Sequence, residues 1–119
     1  MEVLFLILND LSYLDEIFAK FLELKVRGAT VLDSTGMASA IMANEGLNFM
    51  LSGPFQHSFG DNDKKSKTIF TVIPDAEKAK NVIREIRAIV ENSKKHVIGF
   101  MFTVPVSGIY PMKPKHIEE

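Results

Sequence analysis

Six apolar residues in a row, Val3-Leu4-Phe5-Leu6-Ile7-Leu8, follow Met1-Glu2. Successive side chains of a strand point to opposite faces of a sheet, so a sheet covered on one face alternates apolar and polar residues. This run does not alternate, and Asn9-Asp10 ends it after a strand's length. A second run, Val97–Val106, behaves similarly through Val97, Ile98, Phe100, Met101, Phe102 and Val104. Both faces of the resulting sheet therefore need cover. The chain offers only two strongly amphipathic helical stripes. The expectation is that the second sheet face packs against other copies of the chain. The alternative is a long loop folding back over it.

The stripes come between the strands. Leu11, Leu14, Ile17, Phe18, Phe21 and Leu22 recur at helical spacing, after Ser12 and Asp15 at capping-box spacing. Gly28 ends this unit as a helix stop or turn, and Ala29–Leu32 reads as a second strand. Thr68–Ile73 is β-branched and reads as a third strand, with Pro74-Asp75 as stop and cap. Ala79, Val82, Ile83, Ile86, Ile89 and Val90 form the second helical stripe. Asn92–His96 turns the chain into Val97–Val106. Strand–helix–strand occurs twice. The predicted fold is α+β: a ferredoxin-like βαββαβ sandwich with a four-stranded antiparallel sheet and both helices on one face.

With 119 residues the chain holds one domain, residues 1–119. Fifteen acidic residues nearly cancel fourteen basic ones, which removes the basic excess of a nucleic-acid binder. There is no cysteine, hence no thiolate chemistry or disulfide framework, and a cytoplasmic location fits. Val3–Leu8 is too short for a membrane span, which needs roughly 20 apolar residues, and it lacks the flanks of a signal peptide. No membrane insertion is expected.

Between the halves, residues 34–67 form a connection far longer than a compact domain needs. Met37, Ile41, Met42, Leu47, Phe49, Met50, Leu51, Phe55 and Phe59 lie in it. Apolar side chains on a long loop suggest docking, within the oligomer or, through residues 37–60, on a protein partner.

Three stretches resemble PII nitrogen-regulatory proteins. Leu14-Asp15-Glu16 with Val26-Arg27-Gly28-Ala29-Thr30-Val31 is similar to that family's first helix and second strand. Thr71-Val72-Ile73-Pro74-Asp75 looks like its third strand, which ends in Val-Pro-Asp. Gly99-Phe100-Met101-Phe102-Thr103-Val104-Pro105-Val106 is similar to its fourth. Gly28–Gly36 also resembles the corresponding stretch of PII-like receptors for cyclic di-AMP. The resemblance implies a signalling protein, not an enzyme. It implies a homotrimer with adenine-nucleotide sites in the clefts between subunits and a long T-loop at about residues 35–67. It implies no required cofactor. ADP, AMP, ATP or cyclic di-AMP would be an effector.

The residues that would carry ligand contacts are Thr30 and the backbone at Val72 for adenine, with Gly28 and Gly36 beside the ligand. Gly99 matches the last glycine of the family's phosphate-gripping turn, and Lys113 one member of its Arg-x-Arg pair. The phosphate end departs from the pattern. Ser93-Lys94-Lys95-His96-Val97-Ile98 lacks the family's glycines, and Phe100 stands where the family has lysine. Lys94 and Lys95 offer partial compensation. The loop has no tyrosine to modify. A second reading follows: an interaction module of the same fold that has lost nucleotide binding.

The bland readings stand beside these. Thr30 suits a strand, Gly28 and Gly36 suit turns, and the lysines suit solvent. His57, His96 and His116 show no metal-ligand spacing, and Asp61 and Asp63 lack the rest of a calcium loop. No nucleophile elbow or P-loop is present.

Overall fold

Strand β1 (Glu2–Leu8) is the centre of the fold because both of its edges are paired. The computed structural model describes residues 1–43, 65–95 and 97–115. β3 (Ser66–Ile73) lies antiparallel on one side of β1 and β4 (Gly99–Pro105) on the other. β2 (Thr30–Ser34) pairs with the outer edge of β3, giving the order β2-β3-β1-β4. The architecture is α+β with a four-stranded antiparallel sheet, and this order is compatible with the ferredoxin-like sandwich.

Helices α1 (Leu14–Glu23) and α3 (Ala76–Val90) supply the other layer. Ile17 and Phe21 of α1 and Ala79, Val82 and Ile86 of α3 pack on Leu4, Leu6, Leu8, Ile69 and Ile73 of the sheet. Each fully buried aliphatic side chain contributes about 1.5–3 kcal/mol. Among the described residues, no helix is long and apolar enough to cross a membrane.

Asp75 caps α3 as its position predicts: it is extended and its carboxylate accepts from the Glu77 N–H at 3.1 Å. The first helix differs from the capping-box expectation at its start. Asp10 rather than Ser12 supplies a cap, and it does so for the turn before α1, accepting from the Ser12 N–H at 3.1 Å and the Ser12 hydroxyl at 2.7 Å, while Tyr13, the N-cap of α1, makes no side-chain cap bond. Asp10 opens a 3₁₀ turn, Leu11–Tyr13, that leads into α1. The helix also stops before Gly28. Lys25 turns left-handed at φ 63°, the Val26 N–H donates to the Phe21 carbonyl at 2.7 Å and the Lys25 N–H to Leu22 at 3.1 Å. This is a Schellman stop. Val26 and Phe21 both enter the core, and that apolar contact decides where the helix ends.

A short helix α2 (Met37–Ala43) follows β2, where the sequence suggests only connection. β2 lies later than the expected Ala29–Leu32, and β3 begins earlier, taking in Ser66 and Lys67 from the polar run. β4 is shorter than Val97–Val106. Residues 44–64, which carry most of the expected 37–60 docking segment, His57, Asp61 and Asp63, lie outside the described residues, as do His96 and His116.

Candidate functional site

Register places Val3, Phe5 and Ile7 on the sheet face away from the helices. Val3 lies opposite Val72 and Val104, Phe5 opposite Phe70 and Phe102, and Ile7 opposite Thr68 and Phe100. Thr30, Leu32 and Ser34 of β2 continue this face through Phe70, Thr68 and Ser66. The Phe5 ring stacks on Phe102 with centroids 4.9 Å apart and tilts against Phe70 at 5.8 Å. Phe100 continues the row, 6.1 Å from Phe102. Phe102 is 43% exposed and Phe100 57%. No strand position on this face carries a charge. Three of its polar side chains pair at the β2 edge, where Thr68 donates to the Ser34 hydroxyl at 2.9 Å and Ser34 and Ser66 share a 2.7 Å bond.

The six candidate ligand residues fall into separate places. Gly28 and Val72 line one concavity of about 310 Å³. Thr30 is exposed at the start of β2, opposite Phe70, two residues from Val72 on the same face. Gly36 lies between β2 and α2, and Lys113 in the exposed segment after β4. Gly99 opens β4 opposite Leu8, whereas Val72 is opposite Val3. Five residues along β1 separate those positions, roughly 17 Å. Gly99 lines a different cavity, of about 860 Å³, between α3 and β4.

The glycines differ in what they need. A Cβ on Gly28 or Gly36 would meet nothing within 4 Å. A Cβ on Gly99 would lie 2.2 Å from the Ile7 carbonyl oxygen. Gly99 therefore has a packing reason of its own: β4 approaches β1 too closely for a side chain.

The concavity also gathers residues that sequence reasoning does not single out. Lys25, Arg27 and Lys78 line it together with Val26, Thr71, Ile73 and Pro74. The Lys78 ammonium donates to the Lys25 carbonyl at 3.2 Å, joining α3 to the turn after α1. No acidic side chain lines this hollow among the described residues.

At the far end Lys95, one of the two lysines offered as compensation at the phosphate end, is engaged. Its ammonium lies 2.5 Å from the Asp10 carboxylate. The Lys95 bond, with those from Ser12, holds the Asp10 carboxyl down at about 2. Asp10 in turn raises Lys95. Among the described residues, no group of three or more His, Asp or Glu side chains comes together to hold a metal. No protein-family model matches the chain, and no curated protein matches it.

Proposed function

We propose that this chain is a PII-like regulatory protein. It forms a homotrimer, binds a small effector, an adenine nucleotide, in clefts between subunits, and signals through the segment around residues 35–67. The open sheet face carries this reading. Phe5, Phe70, Phe100 and Phe102 with Val3, Val72 and Val104 make an apolar surface across three strands. Surfaces of that kind mark a partner's seat. Sheets that stack nucleic-acid bases pair their aromatics with cations, and this face has none. A second and third copy presenting the same face suit it better.

The separation of the ligand residues supports the same reading. Gly28, Thr30 and Val72 lie toward one end of the sheet and Gly99 at the other, so one protomer does not surround a nucleotide with all of them. A cleft between subunits brings one group of each protomer to the other group of its neighbour. The role is binding and signalling in the cytoplasm rather than catalysis.

The second reading, an interaction module without a nucleotide, draws on the Asp10–Lys95 ion pair and on Phe100. Light scattering is expected to give a mass of three chains. Calorimetry with ATP, ADP, AMP and cyclic di-AMP then separates the two readings. Binding by at least one supports the sensor. A trimer that binds none of them is the interaction module, and a monomer ends both.

A further inference from the structure

We propose that the hollow between the turn after α1 and the end of β3 is an anion site, which takes the phosphate of a small phosphate monoester on Lys25, Arg27 and Lys78. In the family that the sequence resembles, the region of Gly28 and Val72 meets adenine. The charges here argue for the opposite end of the ligand. Three cations line a hollow of about 310 Å³ with no carboxylate among them. They come from two elements, and the Lys78 ammonium is held against the Lys25 carbonyl at 3.2 Å. Elsewhere on the helical layer Lys20 pairs with Glu23 at 2.7 Å and Lys80 with Glu77 at 3.7 Å.

Lys25 supplies a second observation. It sits at φ 63°, the left-handed position of a Schellman stop that glycine takes at least cost. A cation occupies the position where backbone geometry favours having no side chain.

This inference rests on the sensor reading for the organic part of the ligand only; the anion site stands by itself. The test uses the full chain with inorganic phosphate, AMP and adenosine, followed by amide chemical shifts and calorimetry. AMP is expected to shift amides at 25–28, 71–73 and 78 saturably, phosphate to shift them more weakly, and adenosine to leave them alone. Lys25→Gly gives opposite signs: a higher unfolding midpoint and AMP binding weaker by about tenfold, the loss of one charge-assisted contact. Lys25→Gln and Arg27→Gln, both at exposed positions, are expected to weaken AMP similarly. Adenosine shifting these amides as strongly as AMP would mean that the base sits here; the anion site then fails while the sensor reading stands. AMP that binds with shifts confined elsewhere, or with Lys25→Gly unchanged in affinity, overturns the anion site in the same way. If neither AMP nor phosphate binds, the anion site fails, and cyclic di-AMP and the chain's mass still decide the sensor reading separately.

Discussion

Leu4 and Phe5 are neighbours in sequence and equally apolar, yet they live in different surroundings. Leu4 is 1% exposed, in the core built by α1 and α3. Phe5, on the opposite face, meets the rings of Phe70 and Phe102, themselves part of an open surface. The same contrast runs along the sheet: Leu6, Leu8, Ile69 and Ile73 against Ile7, Val72 and Phe102. Strand composition alone therefore does not say which face the chain covers for itself. The helices decide that, and two amphipathic stripes suffice for one face.

Charges placed on either face give the largest effects and would break the comparison if they agreed. Leu6→Asp puts a carboxylate among side chains of a closed core, at a cost of several kcal/mol, comparable with the 5–15 kcal/mol that holds most domains folded. Circular dichroism is expected to show loss of the cooperative transition. Phe102→Asp is expected to keep the spectrum and lose the assembly in light scattering. If Phe102→Asp unfolds the chain as well, the open face is core in its own right; if the mass stays at three chains, it is not the interface.

The two glycines sharpen the contrast at a smaller scale. Gly99→Ala must push β4 away from the Ile7 carbonyl and is expected to cost about 1–3 kcal/mol in urea unfolding. Gly28→Ala enters open space and is expected to stay within about 0.5 kcal/mol. Equal costs would show that the turn after α1 is as tightly packed as the β1–β4 pair.

The smallest effect belongs to neither face. Asp10 and Lys95 tie the turn after β1 to the turn before β4. The Asp10 carboxyl falls from its ordinary value of 3.8 to about 2 on folding. Its contribution is therefore present above about pH 4 and lost as the pH falls through about 2. Asp10→Asn is expected to cost roughly 1–2 kcal/mol at neutral pH. The difference from the parent should close on acidification through that window; a difference that persists unchanged at pH 2 would assign the loss to the Ser12 cap instead.

Five elements, β1, β3, β4, α1 and α3, are legible because their apolar periods are long and their ends carry Pro, Asp or polar turns. α2 is not, although Met37, Ala38, Ala40 and Met42 are good helix formers, because Gly36 and the length of the connection argue for loop. The residue that ends α1 is Lys25 rather than Gly28, and a Schellman turn on lysine has no glycine to announce it. Of the six candidate ligand residues, the sequence order does not tell which come together. Gly28 and Val72 do meet at one hollow, but the cations around it come from α1's stop and from α3, and only the fold brings them together. Register between distant strands, which separates Gly99 from Val72, leaves no mark on either segment alone.

The position of β1 sets an order on biosynthesis. Among the described elements it precedes all the others in sequence, and one of its two edges is paired by β4, which follows them all. About ninety residues intervene between Leu8 and Gly99. At about 5–20 residues per second, the nascent strand waits roughly 5–20 s with that edge unpaired, while α1, β3 and α3, which precede β4, can already cover one of its faces. For that interval Val3–Leu8 is a ready template for pairing with another chain. The newborn protein thus depends on whatever holds an apolar strand apart from its neighbours until translation reaches residue 105.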